Sequence, residues 1–331
     1  MRRAFTLLEL VLVVFVLAAL AMSAVSLAGD VDAQSRLEIT KQRRQQIREA
    51  ILGKEATVGG TPVASGFVAD MGRLPTSLRE LVEPFDDTGA ALASWAPRSE
   101  NANVGAGWRG PYLPLEWEAD SGGVQRPVFR DGWGTRRFAA GTTTLSASDP
   151  LNFGWLLTTE QEGARVVGFD AVSLGRDGIP GGAAPEDRDL PTYPMPPPPG
   201  GNAHLHLVSR DDWLLELDGA SAAFSIRNTG PTDVPADSLR LRLVVGEGGT
   251  TTTWNAIDST STGPAGPLAV GDSTTLSLNL PTPLDAIAAG SWSLEVTRVA
   301  DGGVVGQPRV VRVLPRSTPV WPNATSWEVT P

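Results

Sequence analysis

The run from Phe5 to Ala28 (FTLLELVLVVFVLAALAMSAVSLA) restricts the fold more than any other segment, because it is apolar throughout apart from one charge, Glu9, and a few hydroxyls. As a helix at about 1.5 Å per residue, this stretch reaches roughly 36 Å, enough to cross a ~30 Å hydrocarbon layer with some tilt. A carboxylate in such a helix costs on the order of 3 kcal/mol at the bilayer centre, so Glu9 calls for a partner. A cleaved secretory signal would have an apolar core of roughly 7–15 residues and a small-residue exit. The run is longer than that, although Ala19-Leu20-Ala21 imitates such an exit. A plain membrane anchor gives Glu9 no role, and the unbroken apolarity argues against a soluble core helix. For orientation, Arg2 and Arg3 favour an N-terminus inside, but Lys41, Arg43, Arg44 and Arg48 blunt that bias.

The order of residues around Glu9 is more specific. A short basic head, Met1-Arg2-Arg3-Ala4, is followed by Phe5-Thr6-Leu7-Leu8-Glu9-Leu10. This resembles the class III signal of type IV pilins and pseudopilins. The resemblance implies that a prepilin peptidase cuts between Ala4 and Phe5 and methylates the new N-terminus at Phe5. It also implies that Glu9 pairs with the N-terminal ammonium of a neighbouring subunit during assembly. The family usually has Gly before the cut, where this chain has Ala4.

With 331 residues, two domains are expected. The formal charge is −10, and losing Arg2 and Arg3 with a leader would make it −12. An acidic chain is a poor nucleic-acid binder. There is no cysteine, so packing, oligomerisation or metal must supply what disulfides would in an oxidising compartment.

The apolar run continues without Pro, through Gly29, into Val31–Leu52, which is polar but rich in helix formers. One long helix is expected from Phe5 to about Glu55, stopped by Gly59-Gly60 and Pro62. Ile39, Ile47 and Leu52 offer an apolar stripe, while Arg43, Arg44 and Arg48 read as a solvated face or as inter-subunit ion-pair partners. Next comes a short helix near Leu78–Val82, for which Ser77 and Glu80 would form a capping box. Gly107–Pro114 (GWRGPYLP) and Arg130–Phe138 (RDGWGTRRF) read as aromatic and glycine turns between short strands. Pro75-Thr76, Gly107–Leu113, Asp131–Phe138 and Ser173–Gly182, in that order, are similar to the head of the major pseudopilin of type II secretion. That resemblance covers roughly residues 4–190.

Residues 191–202 (PTYPMPPPPGGN) read as a linker. Its prolines favour stiff polyproline II at about 3.1 Å per residue, implying a second domain held away from the first. Residues 203–331 read as all-β, with strands at Trp213–Leu217, Ala222–Arg227, Ser238–Val245, Thr250–Trp254, Ser273–Leu280, Ser291–Val299 and Val310–Val313. About seven short strands with this turn punctuation suggest an immunoglobulin-like sandwich.

Among candidate sites, the loop Leu174–Leu190 (LGRDGIPGGAAPEDRDL) carries hard oxygen donors, which suit Ca²⁺. The pseudopilin resemblance implies a structural calcium held by Asp177, Asp187, Asp189 and the Leu174 carbonyl. This loop is one residue longer than the family pattern, and a solvated acidic loop is the alternative. His204 and His206 form an H-x-H pair with no obvious third ligand beside it, and Asn323-Ala324-Thr325 fits a glycosylation sequon. No G-x-S-x-G, H-E-x-x-H or P-loop is present, so the chain does not read as an enzyme.

The expected architecture is therefore α+β. A leader (1–4) precedes a long N-terminal helix (5–58, transmembrane over 5–28) packed on a small β-containing pilin head (59–190). A proline-rich linker (191–202) leads to an immunoglobulin-like sandwich (203–331). The expected role is that of a pseudopilin, a structural subunit of a type II secretion pseudopilus or type IV pilus-like fibre. It would sit in the bacterial inner membrane with its C-terminal domains in the periplasm. Its partners would be other pilin-like subunits, the prepilin peptidase, and a secreted cargo or surface ligand at the sandwich. The alternative is a tethered adhesin or carbohydrate binder, marked by an exposed strip among Trp254, Trp292, Trp321 and Trp327.

Overall fold

A computed structural model describes residues 7–54, 56–58, 61–63, 65–98, 101–119, 123–134, 149–163, 165–178, 190, 207–217, 220–282, 284, 286–314, 321 and 327–330. Helix α1 spans Leu7–Leu52. It stops where Gly53 turns to φ 81° and its N–H bonds the Glu49 carbonyl at 2.8 Å, a left-handed cap ahead of the Gly59-Gly60 pair. Beyond it, β1 (Ala56–Val58) pairs with β2 (Thr61–Val63). After α2 (Phe67–Met71) and a 3₁₀ turn at Leu78–Leu81 come two further hairpins. These are β3 (Ala96–Arg98) with β4 (Asn101–Ala106), and β5 (Glu116–Ala119) with β6 (Gln125–Val128). The one-turn α3 (Asp149–Asn152) leads to β7 (Leu156–Glu162) and β8 (Arg165–Val172). We call residues 65–190 the proximal region.

After a 3₁₀ turn at Arg210–Asp212 come β9 (Leu214–Leu215), β10 (Ser221–Asn228), β11 (Leu239–Gly248), β12 (Thr252–Gly263) and β13 (Ser273–Asn279). The series ends with β14 (Ile287–Ala288), β15 (Gly290–Arg298), β16 (Arg309–Val313) and β17 (Trp327–Val329). Two sheets result, ordered β13-β10-β17 and β12-β11-β15-β16. β17 joins β10 in parallel, and β9 pairs with β14 outside both sheets.

The expected α+β class is corrected: strand makes up 41% of the structure and helix 20%, so the molecule is mostly β. After α1 the described helices are single turns, while the hairpins and two sheets carry the core. The expected transmembrane span is corrected as well. Among the described residues, no helix is long and apolar enough to cross a membrane, so a single-pass inner-membrane anchor is not supported.

Within the four-stranded sheet, β15 is buried on both faces. Trp292, Leu294 and Val296 of β15 enter the apolar core. Ser293, Glu295 and Thr297 alternate to the opposite face and are equally buried, because the proximal region covers them. Arg98 of β3 reaches Glu295 at 2.8 and 3.3 Å. Close backbone approach completes the contact: a Cβ on Gly72 would fall 2.4 Å from the Gly246 carbonyl, and one on Gly248 would fall 2.8 Å from Met71 Sδ. The sandwich is therefore docked on the proximal region rather than held away as the proline run suggested. Residues 207–217 secure it. The Trp213 indole donates to the Val167 carbonyl at 3.0 Å, Ala289 N–H donates to the Trp213 carbonyl at 2.7 Å, and Phe169 and Val208 exchange backbone bonds.

Candidate functional site

Helix α1 has two halves with opposite surroundings. Toward its C-terminus, Ile47 and Ile51 are fully buried, and three arginines flank them. Arg43 grips Glu116 at 2.6 and 3.0 Å and lies over the Phe129 ring. Arg44 bonds the fully buried Asp170 at 2.7 Å and the Ala171 carbonyl at 3.2 Å. Arg48 bonds Asp212 and the Leu207 carbonyl, both at 3.1 Å. Spacings of three and four residues place 44, 47, 48 and 51 along one side of the helix. These arginines are thus intrachain braces, which corrects the expectation of a solvated or inter-subunit face. Ile39, expected in the apolar stripe, is exposed.

Toward the N-terminus the reverse holds. The large apolar side chains from Leu10 to Leu20 are 48–74% exposed, with Phe15 at 74%. Between the halves, Asp32–Arg36 and Glu38–Lys41 pair with each other along the helix surface. The backbone of Glu9 lies on α1, but its side chain is outside the described part.

The turn at Asp131–Gly134 ties α1 to the acidic loop. Gly132 N–H donates to the buried Thr40 Oγ1 at 3.0 Å, and a Cβ there would meet the Arg36 carbonyl at 2.1 Å, so only glycine fits. The buried Asp131 accepts from Ser173 Oγ at 2.5 Å and from Trp133 N–H at 3.1 Å. Ser173 and Leu190 exchange backbone bonds at 2.9 and 3.0 Å and close the neck of the loop between them. Of the expected calcium ligands, Leu174 is buried and Asp177 is exposed on the turn beyond it, while Asp187 and Asp189 lie outside the described residues. Ala4, Phe5, His204, His206, Asn323 and Thr325 also lie outside them. Among the described residues there is no cluster of three His, Asp or Glu able to hold a metal.

The GWRGPYLP segment serves packing. Trp108 Nε1 donates to the Glu80 carbonyl at 2.7 Å, and Trp108 and Tyr112 meet edge to face. The Tyr112 hydroxyl donates to Asp70 at 3.1 Å. Burial raises the pKa of Asp70, against the opposing pull of Arg109 and the Tyr112 hydrogen bond. Burial, and then the Asp70 charge, drive the Tyr112 phenol far upward. The expected Ser77 cap makes no side-chain hydrogen bond. Instead, Thr76 donates from both N–H and Oγ1 to the buried Glu80, which also pairs with Arg73 at 2.7 Å.

The adhesin signature does not form: Trp292 and Trp327 are buried, and Trp254 and Trp321 are half-buried. Of the ten tryptophans, all of them described, Trp117 alone is exposed. Sequence reasoning passed over it. The signal was its place between Glu116 and Glu118, whose carboxylates are drawn to Arg43 and Arg130 and leave the indole on the other side of β5. Comparison of the chain with protein-family models, with curated proteins and with solved structures finds no match.

Proposed function

We propose that the chain is a self-assembling structural subunit, pilin-like in its N-terminal device, whose copies join through the first half of α1. The observation that carries this reading is the contrast along one helix. The second half is braced by three ion pairs and two buried isoleucines, while the Leu10–Leu20 run projects with its apolar side chains exposed. Contiguous apolar surface of this kind marks an interaction site. The run is apolar on all sides, and the same run on a second copy covers it with like surface. In this reading Glu9 pairs with the N-terminal ammonium of a neighbour and sets register. A buried ion pair adds little net stability but disfavours packing that leaves a charge unpaired.

The loop between Ser173 and Leu190 is proposed to hold a calcium ion. Its neck is closed by backbone bonds, and Leu174 and Asp177 bring a carbonyl and a carboxylate of the hard type that calcium prefers. Bound there, the ion would neutralise the loop's acids, and Asp131 would steady the neck through Ser173.

Sedimentation of the full chain tests the assembly reading. The wild type is expected to associate and Phe15→Asp to remain monomeric with an unchanged melting temperature. A wild-type chain that stays monomeric at high concentration would overturn it.

A further inference from the structure

The β5–β6 hairpin presents an apolar patch that the braced core does not use. Leu115, just before β5, and Trp117 within it are 41% and 61% exposed, and Val124 at the turn is 58% exposed. The acids beside them are occupied: Glu116 by Arg43 at 2.6 Å and Glu118 by Arg130 at 2.6 Å. Arg43 also donates to the Arg130 carbonyl, so the hairpin is fixed to α1 at the end of its strands. The patch is therefore apolar, locally neutral and held rigidly beside the helix.

We infer that this patch receives the exposed apolar run of α1 from a second copy of the chain. The inference rests on the assembly reading and adds where on the proximal region the neighbour's helix sits. Three considerations select a second copy as occupant. One large aromatic side chain buries about 150–250 Å², so a patch of three residues falls well short of the roughly 800 Å² per partner that a stable interface needs. A partner meeting this patch alone would not stay, whereas in an assembly the copy whose run sits here is also held by the further copies that cover the other sides of that run. Each copy carries a formal charge of −10, so copies repel except where charge is absent or paired. Lastly, α1 supplies a complementary element, an apolar helix from Leu10 to Leu20 with no cover of its own in the monomer.

The chain has no cysteine, so single introduced thiols report contacts cleanly. Full-length Trp117→Cys is mixed with full-length Phe15→Cys under assembling conditions and treated with a short bismaleimide. The expected product is the mixed dimer. A product linking Trp117→Cys only to itself would overturn the helix seat in favour of patch-to-patch contact. In parallel, Trp117→Ala is expected to weaken self-association about tenfold, as loss of a central aromatic does, with an unchanged melting temperature. Unchanged association in Trp117→Ala, alongside loss of association in Phe15→Asp, overturns this inference and leaves the assembly reading standing. If the wild type does not associate, both fall together.

Discussion

The two halves of α1 invert the usual link between polarity and burial. The half richest in apolar residues is exposed in the monomer, and the half carrying Arg43, Arg44 and Arg48 is seated in the fold. The polar half is held because each guanidinium finds a fixed acceptor. Asp170 and Asp212 are themselves buried, so removing their partners leaves costly charges. The apolar half has no such acceptors within its own chain. Polarity along a helix therefore says how a surface can be satisfied, and only the rest of the fold says whether it already is.

Substitutions can separate the halves, and the largest effect is expected at the exposed one. Phe15→Asp, and independently Glu9→Ala, should abolish or severely impair association while leaving urea unfolding of the monomer unchanged. A shifted urea midpoint would mean that the first half also packs within its own chain. In the second half, Arg44→Ala removes the guanidinium that pairs with the buried Asp170 and should cost about 3–5 kcal/mol in equilibrium unfolding. A loss below about 1 kcal/mol would reduce this brace to the rank of a surface pair. Calcium should stabilise the second half only, because the loop neck at Ser173 joins Asp131 and the turn beneath Thr40. At a hundredfold excess over Kd the gain is about 2.7 kcal/mol. Because the sandwich shares an interface with the proximal region, both should melt together when chelator is added. Identical melting with calcium and with chelator would remove the ion from the account.

The smallest effect is expected at Asp70, on α2. Burial raises its pKa, so the folded state holds its proton more tightly than the unfolded chain does. Its contribution is therefore most favourable below the ordinary carboxylate pKa and is lost as pH rises through the raised folded value. Asp70→Asn should remove this dependence, so the difference in melting temperature between variant and wild type should grow in the variant's favour from acid to neutral pH. A constant difference across that range would contradict it.

Much of the sandwich is readable from alternation. Leu239, Leu241 and Leu243 of β11 are buried while Arg240 and Arg242 lie between them half-buried, as SLRLRLVV suggests. β12 extends to Gly263, well past the expected end at Trp254, because its Ser and Thr residues show no apolar alternation to mark a strand. The docking of the sandwich is not readable at all. Ser293, Glu295 and Thr297 look like a solvated face, and nothing local reveals that Arg98, 197 residues earlier, lies against Glu295. The prolines of the sequence suggest a spacer, and nothing in them reveals that Leu207 meets Arg48 of α1 or that Trp213 meets Val167 of the proximal region. The site shows the same limit: Asp131, Gly132 and Ser173 belong to recognisable motifs, whereas their convergence with Thr40 depends on tertiary approach.

The brace at Arg48 also sets a schedule for synthesis. Its acceptors, the Leu207 carbonyl and Asp212, lie 159 and 164 residues downstream. At about 5–20 residues per second, they emerge on the order of ten to thirty seconds after Arg48. Late in that interval, once they have themselves emerged, Val167 and Phe169 also lack the partners that Trp213 and Val208 later supply. A nascent chain of this protein carries its apolar N-terminal run for that whole period without a finished body behind it. Whatever shields Leu10–Leu20 from premature association must therefore act before the second region has been made.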